Sequence, residues 1–114
     1  MKMRIGKSEL IKYFERLQKS KNKDDRIKVN KIRMYMKLLE EYGLQLNEPY
    51  IKKITKDIWE LRPLRDRFLF AYWKEERFII LSHFLKQTQK TPKKEIEKAE
   101  KILIDFLDRG DEFE

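Results

Sequence analysis

The chain has no cysteine, one histidine, three glycines and three prolines in 114 residues. Each shortage excludes a class of chemistry. Without cysteine there are no disulfides and no thiolate metal sites. With His83 as the lone histidine, no Ser/His/Asp catalytic set is credible, and no cluster has the spacing of a zinc or calcium site. Gly6, Gly43 and Gly110 are scattered, so there is no glycine-rich phosphate loop. No stretch approaches the ~20 consecutive apolar residues that span a bilayer. The opening MKMRIGKSEL lacks the apolar middle of a secretory signal. A soluble, cytoplasmic protein is expected, away from membranes and with no metal or cofactor.

Charge is what the chain has in plenty. Charged residues make up 42% of it and the formal net charge is +8, unevenly spread. Residues 1–49 balance to +6, residues 50–94 to +7 and residues 95–114 to −5. Excess positive charge favours polyanions such as nucleic acid. Seven Phe, five Tyr and two Trp supply large packing units, enough for a core in one domain spanning 1–114.

The pattern along the chain predicts helix, helix, three strands, helix. Met1 to Ile5 is either a short edge strand or a disordered start. Ser8 reads as a helix N-cap, followed by Leu10, Phe14 and Leu17 at helical spacing. Asp24 or Asp25 caps a second helix whose stripe is Val29, Ile32, Met36 and Leu39, and Gly43 ends it with φ > 0. Strands are expected over Ile54 to Leu61, Phe68 to Trp73 and Phe78 to Leu85, with Lys74-Glu75-Glu76 as the hairpin turn. Pro63, which lacks an N–H, should stop the first ladder. Thr91 caps a last helix with Pro92 at its first position, an apolar face of Ile96, Ala99, Leu103 and Phe106, and Gly110 at its end. Asp111 to Glu114 reads as a frayed acidic tail. This order describes an α+β two-layer domain in which the helix hairpin covers one face of a small antiparallel sheet.

The chemistry left to such a chain rests on Arg, Lys, Tyr, Glu and His83. That inventory suits RNA cleavage by the RNA's own 2′-OH, where a fixed cationic cluster stabilises the charge on the phosphorane oxygens. Arg67 and Lys86, on neighbouring strands, are placed to bracket one phosphate, with Arg62 and Lys90 at adjoining strand ends. Each is equally well read as a solvated strand-end cation that adds little to the core. His83 lies in an apolar strand and reads as a core residue or a support rather than a general base. Glu60 reads as the partner of a nearby arginine; Phe68, Phe70 and Tyr72 read as core, and stacking of Tyr72 or Trp73 on a base is the weaker reading.

A series of blocks then carries a resemblance. They are Pro49-Tyr50-Ile51-Lys52-Lys53, Ile58-Trp59-Glu60-Leu61-Arg62 and Arg67-Phe68-Leu69-Phe70, then Leu81-Ser82-His83-Phe84-Leu85-Lys86. Thr88-Gln89-Lys90-Thr91-Pro92, Glu95-Ile96 and Ala99 complete the series. In order and spacing, over roughly residues 8–109, it resembles the RelE/HigB toxin superfamily, in its branch of phage-derived, HigB-like toxins. The resemblance implies a RelE-like fold: a small antiparallel sheet packed by an N-terminal helix hairpin and followed by a C-terminal helix. It implies the toxin of a type II toxin–antitoxin module, a metal-independent endoribonuclease that cuts mRNA on the ribosome and so inhibits translation. The implied partners are mRNA, the ribosome and a helix-turn-helix antitoxin, with operator DNA bound only through the antitoxin complex.

By position, Arg67 matches the family's phosphate-contacting strand arginine, Lys86 the cation closing the next strand, and Arg62 the arginine ending the ELR block. These three are the expected catalytic residues, with Lys90, Arg65, Lys53 and Lys56 as RNA contacts. Two departures stand out. Gln87 occupies the place of a second lysine, and no tyrosine or histidine follows Gly110 to serve as an acid. Two other functions fit the same fold: a nucleic-acid- or protein-binding module that does not cleave, and a gyrase poison of the ParE kind. A small helix-turn-helix protein encoded next door, and growth arrest by this chain alone, would favour the toxin.

Overall fold

The structure, a computed structural model, describes residues 2–5, 8–73 and 77–109. The expected turn at Lys74-Glu75-Glu76, the stop at Gly110 and the tail from Asp111 to Glu114 lie outside the described residues.

Two amphipathic helices come first. α1 spans Ser8–Lys19 and α2 spans Lys23–Tyr42, antiparallel neighbours across a short polar turn. α1 begins at Ser8, so the residue expected as its cap is its first helical residue. The cap of α2 is Asn22 instead of Asp24 or Asp25: the Asn22 side chain accepts from the Asp24 amide at 2.7 Å. Asparagine wins because it sits one step outside the helix, in extended backbone at φ −67° and ψ 134°. Asp24 and Asp25 occupy the first turn, where their charge meets the positive end of the helix dipole. Gly43 ends α2 at φ 58°, as its position predicts, and opens a single 3-10 turn to Gln45.

Five strands form one sheet in the order β1-β5-β4-β3-β2: β1 (Lys2–Ile5), β2 (Ile51–Lys53), β3 (Trp59–Leu61), β4 (Asp66–Trp73) and β5 (Arg77–Leu85). β2 to β5 are mutually antiparallel, and β1 adds a parallel edge against β5. Of the two readings for the start of the chain, the edge strand is the one observed. The strand expected over Ile54 to Leu61 is confined to its end, Trp59–Leu61, and its antiparallel partner β2 lies just before that range, because the chain reverses between Ile54 and Ile58. There the Ile54 and Thr55 amides both donate to the Ile58 carbonyl. Lys56 and Asp57 at the tip are exposed, as a turn requires.

Strand alternation divides the core. Leu61, Phe68, Phe70, Phe78 and Ile80 face the α1–α2 hairpin together with Ile51, and meet Leu10, Leu17, Ile32 and Leu39. Leu69, Ala71, Trp73, Ile79 and Leu81 face the other way and meet Ala99, Leu103 and Phe106 of α3 (Lys93–Arg109). The hairpin-on-sheet fold expected of the sequence is therefore present, and α3 covers part of the second face. Tyr72 is on the hairpin side but 45% exposed, and Trp73 is buried with its ring edge-on to Phe106 at 5.0 Å. Trp73 is thus core and has no face to offer a base.

One irregularity sets the later geometry. Leu69 pairs with Ser82 and Phe70 with Ile80, so Leu81 is the extra residue of a β-bulge. Beyond it the parity of β5 flips, which turns His83 to the hairpin side and Ser82, Phe84 and Lys86 to the α3 side.

Replacing Asn22 with alanine should lower stability by about 1 kcal/mol, the usual loss of an N-cap. Asp24→Ala should lower it by less than half of that, since only a dipole contact goes. Urea midpoints of the two variants decide which residue caps α2.

Candidate active site

The face shared with α3 carries the cations, at the end of the sheet that α3 leaves open. Glu60 stands at their centre. Its position opposite Leu69 in the β3–β4 ladder puts it on that face, 2% exposed. Arg62 follows it on the same parity, with Nε 3.3 Å from Glu60 Oε1, and Nη1 reaching Glu48 at 3.9 Å. Arg67 Nε lies 3.9 Å from the same carboxylate oxygen. Thr91 donates its hydroxyl to Glu60 Oε2 at 2.7 Å. It therefore does not cap α3, whose first helical bond is taken by the Pro92 carbonyl. Lys86, Gln87, Lys90 and Thr91 wrap round the small depression that Glu60 and Arg67 floor.

Arg67 and Lys86 thus share one face, opposite the hairpin, and with Arg62 and Lys90 they surround a single carboxylate. Their environments differ. Arg67 is only 6% exposed and donates from Nη1 to the Leu64 carbonyl at 2.7 Å and the Asp66 carbonyl at 2.9 Å. Leu64 has φ 55°, an unfavourable backbone for a residue with a Cβ, and this turn presents its carbonyl to the guanidinium. Burial, and then the like charge of Arg62, lower the Arg67 pKa against the opposing pull of Glu60 and Asp66. The expectation that Arg67 is a solvated strand-end cation of little weight in folding is corrected here: it ties the β3–β4 turn together. Lys86 is half-buried, and among the described residues its ammonium has no ion-pair partner.

The other expected contacts divide. Lys90 is exposed at the rim. Arg65 is exposed and donates to the Lys86 carbonyl at 2.9 Å, bracing the end of β5. Lys53 pairs across the ladder with Trp59 and lies over its ring, 5.6 Å from the centroid, on the hairpin side of the sheet. Lys56 is at the tip of the β2–β3 turn. Lys52, which the sequence reading passed over, pairs with Glu60 and shares the cationic face. Once Ile51 is known to be core, period-two counting finds it.

Back to back with this cluster lies a second one, on the hairpin side. Asp66 is fully buried and receives the Tyr13 hydroxyl and His83 Nε2, each at 2.6 Å on Oδ2. Lys28 Nζ stands 3.3 Å from Oδ1 and also donates to the Tyr13 oxygen at 3.3 Å. Burial alone would raise the Asp66 carboxyl. The hydrogen bonds from His83 and Tyr13, with the charges of His83 and Lys28, outweigh it and hold the group below the ordinary carboxylate value. Burial and then the bond to Asp66 push the Tyr13 phenol well above its usual range. His83 is therefore a supporting residue, its ring tilted against those of Phe68 at 4.8 Å and Tyr13 at 4.5 Å.

Among the described residues, two roomier surface depressions, of about 440 and 810 Å³, lie along α1 and α2, away from the Glu60 cluster. Among the described residues, no three His, Cys, Asp or Glu side chains converge as a metal site, and no helix is long and apolar enough to cross a membrane.

Comparison with known proteins agrees with this architecture. Residues 12–103 match the family described as "Phage derived protein Gp49-like (DUF891)", which covers most of the chain. The chain belongs to that family, a RelE/HigB-type toxin family. Among solved structures it is similar to a chain of the YoeB-YefM complex from Staphylococcus aureus, with a TM-score of 0.57 and 12% identity. The match covers 76% of this chain and 98% of that one. At that identity the likeness is one of fold. No curated protein matches.

Two measurements test this geometry. The Asp66 pKa is depressed by folding, so its stabilisation is present above the unfolded value of about 3.9 and is lost as pH falls through the folded value. The stability gap between wild type and Asp66→Asn should therefore shrink as pH drops below about 4, followed by urea denaturation. Arg67→Ala should cost about 1–3 kcal/mol, the scale for hydrogen bonds from a charged group, where Lys86→Ala leaves the midpoint within about 0.5 kcal/mol.

Proposed function

We propose that this chain is the toxin of a type II toxin–antitoxin module and a metal-independent, ribosome-dependent endoribonuclease that cuts mRNA and stops translation. Family membership supports the toxin half of this reading. One observation carries the cleavage half: the register gathers Arg62, Arg67, Lys86 and Lys90 around Glu60 on the same face of a rigid sheet.

In this reaction the 2′-oxygen of one nucleotide attacks the adjacent phosphorus and the bond to the 5′-oxygen breaks. The proton of the 2′-OH must go to a base, and the departing 5′-oxygen must gain one. Charge builds on the phosphorane oxygens, and prearranged cations lower that barrier without having to reorganise. Lys86, half-buried and without an ion-pair partner among the described residues, is a cation free to meet it. Arg67, held from behind by two carbonyls, offers a fixed edge of the cluster. Glu60 is the carboxylate that lines the depression, and so the group in reach of the 2′-OH proton once Thr91 or Arg62 gives way. Arg65, Lys52 and Lys90 extend the positive track for the RNA backbone; Lys53 and Lys56 contribute at longer range.

The partners of this reading are mRNA, the ribosome and a helix-turn-helix antitoxin, with operator DNA reached only through the antitoxin. The solved chain that this fold resembles comes from a two-protein complex, as its title states, which fits a chain that is held by a partner. A second reading, a fold that binds without cutting, is favoured by the burial of Arg67 alone.

Lys86→Ala should reduce cleavage of a translated message by about 10²–10³, the scale of a single electrostatic donor, with folding intact. Its ribosome binding should fall much less, because many other cations attract the RNA. Primer extension on a message translated with each variant reads the cut sites. Full activity in folded Lys86→Ala and Glu60→Gln would move the site elsewhere, and equal losses of binding and cleavage would support the binding module.

A further inference from the structure

A pocket of about 260 Å³ opens beside β5, where its pairing with β1 ends at Ile80. α1 contributes Leu10, Tyr13 and Arg16, β5 contributes Leu81, Ser82 and His83, and α3 contributes Lys98. Leu10 and Leu81 give it an apolar floor, and both are core residues. Among the described residues, none that lines it is acidic. The carboxylate that Tyr13 and His83 do contact, Asp66, is committed to them and to Lys28.

Two features of the lining remain unexplained by folding. Ser82 is 3% exposed, yet its hydroxyl has no hydrogen-bond partner. A buried hydroxyl left so is destabilising, and such groups in native proteins are nearly always satisfied. Arg16 and Lys98, from helices on opposite faces of the sheet, meet at the same pocket. Among the described residues neither has an ion-pair partner. The Arg16 guanidinium is steadied over the Tyr13 ring, 5.5 Å from its centroid, instead of pairing with an acid. Two like charges around an unpaired hydroxyl donor are what a bound anion needs.

We infer that this pocket binds a small oxyanion, the phosphate or carboxylate group of a small molecule whose apolar part rests on Leu10 and Leu81. Arg16 and Lys98 supply the charge, and the Ser82 hydroxyl donates to one anionic oxygen. The site is separate from the Glu60 cluster and does not depend on the cleavage reading.

The full chain, labelled with ¹⁵N, is titrated with inorganic phosphate and, separately, with succinate, at ionic strength held constant with chloride. The amides of Leu81, Ser82 and Lys98 should shift and saturate. Phosphate alone saturating them assigns a phosphate ligand, succinate alone a carboxylate ligand, and both a general oxyanion site. Ser82→Ala, Arg16→Gln and Lys98→Gln should each weaken the affinity about tenfold, as loss of one charge-assisted contact does. Lys37→Gln, which removes the same charge elsewhere, should leave it unchanged. Shifts that stay linear, or affinities unchanged in all three pocket variants, would overturn the site. So would a Ser82→Ala protein that is more stable and binds as tightly as wild type, since the hydroxyl would then be an internal defect only.

Discussion

Two adjacent residues at the start of β4, Asp66 and Arg67, hold the molecule together by pointing opposite ways. Period-two alternation sends Asp66 into the hairpin side, where it receives Tyr13 of α1 and His83 of β5 and faces Lys28 of α2. A fully buried carboxylate is tolerable only with such a set of donors, because desolvation of an unpaired charge would cost several kcal/mol. The same alternation sends Arg67 to the far side, into contact with Glu60 and the turn before β4. The helix hairpin and the cationic face are therefore fixed by one dipeptide, and the position of either depends on the other.

The bulge at Leu81 completes the arrangement. Without it, unbroken alternation from Ile79 would carry His83 to the α3 face and Lys86 to the hairpin face. Asp66 would lose a donor and the cationic cluster a member. The extra residue serves both clusters at once, which gives a physical reason for its place in the middle of an otherwise regular hairpin. Glu60 has a comparable double effect. It neutralises part of the repulsion between Arg62 and Arg67, which allows several cations to stand together.

Much of this was legible in the sequence, for identifiable reasons. The helices announce themselves through the stripe Val29, Ile32, Met36, Leu39 and through Gly43, signals that depend only on local backbone geometry. The resemblance carried by the ELR and K-T-P blocks gave the family and the hairpin-on-sheet fold. What stayed hidden was set by tertiary register. The break between β2 and β3 comes from a pair of amides sharing the Ile58 carbonyl, with no glycine or proline to mark it. That break decides that Lys52, and not Lys53, faces Glu60. The burial of Arg67 and the capture of Thr91 by Glu60 follow from contacts across 7 and 31 residues, which composition and periodicity cannot report.

In the proposed reaction the substrate brings its own nucleophile and the protein brings fixed charge. Attack by the 2′-oxygen leaves a 2′,3′-cyclic phosphate, or the 3′-phosphate formed when it opens, upstream of the cut and a free 5′-hydroxyl downstream. The termini of fragments released from a message translated in the presence of this chain can be read by mass spectrometry. Cyclic or 3′-phosphate ends paired with 5′-hydroxyl ends are the predicted result. Fragments ending in 3′-hydroxyl and 5′-phosphate would mean that water, and not the 2′-oxygen, attacks phosphorus, and the role given to the cationic face would be wrong.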